Sequence, residues 1–162
     1  MKKLIFIGLI ICFTFTSCGA KSKTVVINPI FSCSFSAECN DTAYKGELNV
    51  SEDNVKIVVS EPDIIKGVTI IATDDNVSLE YMGLTKSFSK EEYPQIAFIS
   101  SLKGIISDVS INKPDAAVNE DGYDIKGSIN GYEYNLIISK DLLISNIYVP
   151  LINLSIKLYD YK

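Results

Sequence analysis

The feature that most constrains this chain is a strict alternation of apolar and polar residues, interrupted every 8 to 12 positions by turn residues. From residue 31 to residue 39, every second residue is apolar or a cysteine, and the residues between them are Ser or Glu. Successive side chains of a β-strand point to opposite faces, so this pattern builds a sheet with one apolar face. The even spacing of the turns favours antiparallel strands over βαβ units.

The same alternation predicts seven or eight strands in all. After the first strand, they cover residues 44–50, 55–59, 68–71, 77–81, 123–129, 132–138 and 154–158. Asn130-Gly131, between two of these strands, is a strong signal for a two-residue hairpin turn.

One stretch departs from the alternation. Phe98, Leu102, Ile105 and Val109 recur at helical spacing, with Pro94 near the start, and predict a helix near residues 93–109. The predicted fold class is therefore mainly β (α+β). We expect a curved antiparallel sheet or half-barrel of seven to eight strands, with one helix packed on its concave face.

The apolar face of such a sheet is larger than one short helix can cover. Curling of the sheet, a dimer partner or an apolar ligand must cover the remainder. If the curved sheet leaves a cavity, the side chains that face it are predicted by facing parity: Phe35, Leu48, Ile70, Leu79, Phe98 and Leu102.

The first residues have the pattern of a targeting segment. Lys2 and Lys3 precede an apolar run of 12 residues, which is too short to cross a bilayer core of about 30 Å. Thr16-Ser17-Cys18-Gly19 then resembles a bacterial lipobox, in which the Cys thiol receives a diacylglyceryl group. We interpret residues 1–17 as a lipoprotein signal peptide, 18–27 as the lipidated Cys18 and a tether, and 28–162 as the β domain. A plain secretory peptide and an uncleaved membrane helix are the alternatives.

Acylation of Cys18 would place the domain at the cell membrane, on its outer (extracytoplasmic) face. Two acyl chains are sufficient for stable anchoring. Without the signal peptide the chain has 13 Lys against 20 acidic residues, so charge attraction to an anionic membrane would not hold it there.

Two cysteines remain within the β domain. Cys33 and Cys39 are six residues apart on one face, about 20 Å along a strand, which is beyond the reach of a disulfide. We interpret both as small buried residues; a local disulfide in a bent strand, or a reactive thiol, is the alternative.

Composition excludes several functions. A net charge of −5 argues against nucleic-acid partners, and the absence of His removes Ser-His and Cys-His pairs and His-bound zinc. Ser87-Phe88-Ser89-Lys90 and Ser100-Ser101-Leu102-Lys103 match Ser-x-x-Lys, but no other motif of the penicillin-binding enzymes follows. Asn119 to Gly122 fits a turn better than a weak calcium site. We expect no catalytic residues, no cofactor and no metal.

The chain as a whole resembles small Gram-positive lipoproteins, clostridial ones in particular, and is distantly similar to the LolA/LolB-like half-barrel. The passages that carry the resemblance are the lipobox, residues 31–39 with 44–48, Glu61-Pro62-Asp63 with 64–70, residues 79–84, and residues 150–161. The half-barrel resemblance implies a concave apolar face that holds acyl chains beneath a helical lid.

These observations lead to two functional expectations. The first is a membrane-anchored envelope lipoprotein without enzymatic activity, which binds a protein partner or has a structural role. The alternative is a protein that binds or carries an apolar ligand, such as a lipid acyl chain, in a half-barrel cavity.

Overall fold

The computed structural model of the chain describes residues 22–89, 94–129 and 131–162, with residues 94–101 described by their backbone alone. In these ranges, β-strands form a single open sheet accompanied by one helix, α1 (Pro94–Asn112). The strands are β1 (Ser22–Thr24), β2 (Phe31–Cys39), β3 (Thr42–Val50), β4 (Val55–Glu61), β5 (Thr69–Ala72), β6 (Asn76–Tyr81), β7 (Leu84–Ser89), β8 (Asp115–Val118), β9 (Gly122–Ile129), β10 (Tyr132–Ser139), β11 (Ile144–Val149) and β12 (Leu154–Tyr159). Single 3₁₀ turns cover Asp63–Ile65 and Pro150–Ile152.

The sheet is antiparallel throughout its described strands, in the order β1-β8-β9-β10-β11-β12-β2-β3-β4-β5-β6-β7. Two meanders, β8–β12 and β2–β7, are therefore joined at the centre of the sheet by the pairing of β12 with β2. In that pairing Leu154 lies opposite Cys39, and Leu158 lies opposite Phe35.

The predicted fold class of a mainly β, antiparallel sheet with one helix is confirmed, but the predicted number of seven to eight strands is wrong. The sheet has 12 strands in the described part of the chain. The alternation pattern did not indicate β1, β7, β8 or β11. β1 and β8 have three and four residues, too few to show a period. Most residues of β7 are exposed, so the strand shows no apolar face. The pairing of β11 with β10 has a register shift between Ile137 and Ile138, so the alternation is interrupted there.

The predicted helix is present and ends three residues beyond the predicted boundary, at Asn112. It begins at Pro94, a position where the missing N–H of proline costs no helical hydrogen bond.

Helix α1 shows that the sheet curves around it. Lys103 bonds to the turn between β5 and β6, whereas a Cβ at the next residue, Gly104, would lie 2.6 Å from Cδ1 of Ile129 on β9. Seven strand spacings separate β9 from β5 in the sheet, which is roughly 34 Å if the sheet were flat. Neighbouring helix residues can contact both only because the sheet curls.

Residues that sequence analysis assigned to the tether take part in the fold. Ser22 to Thr24 pair with β8, and the next apolar side chains, Val25 and Ile27, are buried. The sheet and its core thus include residues that precede position 28.

The core lies on the inner face of the sheet, the face that α1 covers. Its fully buried side chains come from both meanders and from the helix, and include Val55, Val77, Ile125, Leu136, Ile138, Ile147, Leu102, Ile105, Ile106 and Val109. The outer face is polar along the central strands, where Ser32, Ser34 and Ser36 alternate with core residues of β2.

The connections between strands define two ends of the sheet. At one end of the strands lie the connections 51–54, 73–75 and 140–143, and we call this the closed end. At the other end of the strands lie the connections 40–41, 62–68, 82–83 and 150–153, and we call this the open end. On β4 to β6, the inner-face side chains nearest the closed end are fully buried, whereas Ile57, Ile70 and Leu79 are only half-buried.

Candidate ligand cavity

An apolar cavity of about 150 Å³ lies on the inner face, between α1 and the central strands. Its lining comes from five neighbouring strands and the helix, and consists of Phe35, Ala37, Tyr44, Leu48, Ile57, Val59, Ile70, Leu102, Leu154 and Ile156. These side chains present only carbon atoms to the cavity. An apolar space of this kind accepts apolar guests.

Strand alternation positions this lining. Phe35 and Ala37 of β2 are two residues apart, as are Ile57 and Val59 of β4, so each pair points to the same face. Leu102 closes the cavity from the helix side.

Four of the six residues predicted for a cavity line it: Phe35, Leu48, Ile70 and Leu102. Leu79 lies opposite Ile70 in the pairing of β5 with β6, one strand beyond the described lining, and is half-buried. The side chain of Phe98 lies outside the described residues.

The prediction missed six residues of the lining. These are Ala37, Tyr44, Ile57, Val59, Leu154 and Ile156. Facing parity already placed them on the apolar face, but parity cannot tell which level along a strand the helix leaves uncovered.

A buried lysine bonds α1 to the closed end. Nζ of Lys103 donates to the carbonyl oxygen of Asp53 and to Oδ1 of Asp74, both at 3.0 Å. Only 10% of the Lys103 side chain is exposed, against 82% for Asp74. The two partners lie in the turns β3–β4 and β5–β6, so this one ammonium group fixes the helix to both turns. Lys103 therefore bonds the helix to the sheet; the side chain of Ser100, the serine of its Ser-x-x-Lys match, lies outside the described residues.

A second polar contact lies further along the helix. The hydroxyl of Tyr134 donates to Oδ2 of Asp108 at 3.4 Å. Burial, together with the neighbouring Asp108 carboxylate, raises the pKa of Tyr134 to about 12. The phenol stays protonated at neutral pH and can keep donating to the helix.

Cys33 and Cys39 are both free thiols. Cys33 is buried, and burial raises its pKa to about 11, which makes it a poor nucleophile near neutral pH. Cys39 is half-buried at the open end, with its Sγ 3.5 Å from the carbonyl oxygen of Ile152.

Other functional groups are sparse in the described ranges. Within residues 22–89, 94–129 and 131–162, no three His, Cys, Asp or Glu side chains lie close enough together to hold a metal ion. No helix in this part of the chain combines the length and the apolar character needed to cross a membrane. Cys18, the predicted lipidation site, lies outside the described residues.

The chain is similar to two solved structures. The crystal structure of a LolA superfamily protein from Nitrosomonas europaea covers 86% of this chain and 88% of its own, with 11% identity and a TM-score of 0.45. That of a DUF1329 family protein from Desulfovibrio piger covers 82% of this chain and 83% of its own, with 8% identity and a TM-score of 0.41. No protein-family model and no curated protein sequence matches the chain.

Proposed function

We propose that this protein binds an apolar ligand, such as the end of a lipid acyl chain, in the cavity beneath α1. The observation that carries the proposal is the lining: ten described side chains from six elements converge on one space and offer it carbon atoms only. These ten side chains include no acid, base or thiol, so we propose binding without catalysis.

The size of the cavity limits the ligand. A volume of about 150 Å³ is below the 300–1,000 Å³ of pockets that enclose a drug-sized molecule. It corresponds to roughly five water molecules, which is enough for the terminal segment of an acyl chain and not for its whole length. The half-exposed side chains of Tyr44, Ile57 and Ile70 provide an apolar path from the cavity toward solvent.

The test uses a chain that starts at residue 18 with Cys18→Ser, since every strand and buried side chain described lies within residues 22–162. Native mass spectrometry detects lipid that purifies with the protein, and the fluorescent fatty acid cis-parinaric acid measures uptake. We expect saturable uptake. A clean apo mass together with no uptake would overturn the proposal.

Two variants in which phenylalanine replaces an alanine distinguish binding in the cavity from adsorption to the surface. Ala37→Phe fills the cavity from β2 and should weaken uptake at least about tenfold, because the phenyl ring occupies the site. Ala43→Phe is the control, since Ala43 is an exposed residue of β3 on the opposite face. Equal loss in both variants would contradict binding in the cavity.

We further propose that the domain is a lipoprotein held at the outer face of the cell membrane through acylated Cys18. The support is the charged start, the 12-residue apolar run and the Thr-Ser-Cys-Gly sequence that follows it. Cys18→Ser should abolish acylation and release the protein from the membrane fraction. Retention of the variant with an intact N-terminus would mean that the apolar run is itself a membrane segment.

One observation favours a second candidate, a protein partner. In the described sheet, β7 is an edge strand that pairs on one side only, with β6, and four of its six residues are exposed. Exposed edges of this kind accept an additional strand from another chain. Pull-down with envelope proteins, with Ser87→Pro as the variant that blocks the edge, tests this candidate.

A further inference from the structure

The ring of Phe35 takes the place of a side chain that β3 lacks. Phe35 on β2 lies opposite Gly46 on β3, and both belong to the inner face of the sheet. A Cβ added to Gly46 would lie 2.8 Å from Cε1 of Phe35, so the phenyl ring lies over the glycine. The glycine therefore leaves a space on the inner face, and its neighbour on β2 fills that space.

Gly46 cannot fill this space with a side chain of its own. The pairing of β3 with β4 has a register shift between Lys45 and Gly46, and the backbone of β4 comes close at this irregularity. A Cβ added to Gly46 would overlap the carbonyl oxygen of Val58. Any residue other than glycine would therefore have to displace β4, and the space depends on the neighbouring strand for its filling.

The same ring separates Gly46 from the cavity. Tyr44 and Leu48, the inner-face residues on either side of Gly46 in β3, both line the cavity, whereas Gly46 is not among the described lining residues. Phe35 is part of the lining, and so is Ala37, which contributes a single methyl group from the same strand. Phe35 is thus the largest group that β2 presents to the cavity, and the space over Gly46 lies behind it.

The size of the ring shows what this arrangement controls. A cavity of about 150 Å³ accommodates a molecule roughly the size of benzene. The ring of Phe35 is a group of that same size. Because the surroundings of a deleted side chain relax only in part, removal of the ring would extend the cavity over Gly46 by a comparable space.

We infer that Phe35 sets the length of apolar chain that the cavity accepts, because its ring occupies the space over Gly46. The inference rests on the proposed function and deepens it by naming the class of ligand. The site takes a short apolar segment and excludes the part of a longer acyl chain that would need the space over Gly46. Phe35 is in this sense a specificity-determining residue of the site.

A series of saturated fatty acids, from hexanoic to hexadecanoic acid, tests the inference in the same Cys18→Ser chain, with displacement of cis-parinaric acid as the measurement. Each CH₂ group that enters an apolar site raises the affinity about fourfold. In the parent chain, the affinity should rise with chain length and then level off where the cavity is full. In Phe35→Ala we expect this limit to move to acids about two to four carbons longer. A limit at the same length as in the parent would overturn the inference.

Two further variants distinguish this shift from general damage to the fold. Phe31→Ala is the matched control, because Phe31 shares the strand and the inner face but packs against Tyr161, with 5.3 Å between the ring centroids, and is not among the described lining residues. Its limit should equal that of the parent, and an equal shift there would overturn the role assigned to Phe35. Phe35→Val removes less volume and keeps a residue that favours strands, so we expect a shift of about one to two carbons.

Uptake by the parent chain distinguishes failure of this inference from failure of the proposed function. If the parent and Phe35→Ala take up fatty acids with the same length limit, the inference alone is wrong. If the parent takes up none and Phe35→Ala does, the proposed function is wrong, and Phe35 still limits the space. If neither takes up any fatty acid, both are wrong.

Discussion

The closed and open ends of the inner face have similar strand compositions but different packing. At the closed end, Val55, Ala72 and Val77 are at most 1% exposed, and Lys103 bonds the helix to both adjacent turns. One inner-face position further along these strands, Ile57 and Ile70 are half-buried and line a cavity, and Val59, the next inner-face residue of β4 toward the open end, is buried again at 6% exposure. The comparison teaches that packing on this face is tightest beside the turns to which Lys103 bonds the helix. The apolar character of the strands alone does not determine it.

The largest expected effect compares two isoleucines on the inner face. Ile138→Ala, next to the connection at 140–143, removes a fully buried side chain and should lower the free energy of unfolding by about 3–4 kcal/mol. Ile70→Ala removes a half-buried side chain from the cavity wall and should cost about 1 kcal/mol. Urea denaturation followed by circular dichroism measures both. Similar losses in the two variants would remove the distinction between the ends.

A smaller effect is expected when the helix is released from the closed end. Lys103→Met keeps most of the buried side-chain volume but leaves the Asp53 carbonyl without this donor, so we expect a loss of about 2 kcal/mol. Hydrogen exchange should become faster in residues 102–109 before it does so in β10. Asp74→Asn is the milder control, because Asp74 is 82% exposed and the Asp53 bond remains. Unchanged exchange in Lys103→Met would show that apolar packing alone holds the helix.

The smallest effects concern groups that ionise in alkaline solution. Burial raises the pKa of Cys33 from 9.0 to about 11, and burial with Asp108 raises that of Tyr134 from 10.0 to about 12. Both groups hold their protons more tightly in the folded state. The stability they contribute is complete below about pH 9 and is lost as the pH rises toward 12.

We therefore expect the urea midpoint to stay level up to about pH 9 and to fall as the pH rises from 9 toward 12. Tyr134→Phe should reduce the part of this fall that occurs above pH 10.

Thiol labelling at pH 8 sharpens the comparison of the two ends, because Cys39, at the open end, should react before Cys33 does. A faster reaction of Cys33 would contradict its described burial.

Much of this fold could be predicted from local patterns. The alternation in residues 31–39 and the turn residues after it indicate β2, β3 and β4, and Asn130-Gly131 marks the connection of β9 to β10. These features depend on neighbours in sequence. β1 could not be recognised in this way, because Ser22 to Thr24 are polar and their partner, β8, is far away in the chain.

The sequence could predict which face of the sheet holds the candidate site, but not where on that face the site lies. Parity placed Phe35, Leu48 and Ile70 on the inner surface, and helical spacing added Leu102. Lys103 bonds the helix to two turns that are distant from it in sequence, and no local pattern predicts such contacts or the position of the cavity along the strands. The exposed apolar residues Ile64 and Leu151 lie in short 3₁₀ turns, where no periodicity exists to interpret.

The pairing of β12 with β2 at the centre of the sheet sets a condition on how the chain folds. Each meander can form from contacts between strands that are close in sequence. The two halves join only when β12 pairs with β2, which brings Leu154 opposite Cys39. Pairings of such long range are slow to form, because the intervening chain loses entropy before any contact repays it. If the chain crosses a membrane from its N-terminus, β2 emerges before its partner β12. The side of β2 that pairs with β12 then stays unpaired until nearly the whole chain has crossed. That interval is when this protein most needs protection from aggregation.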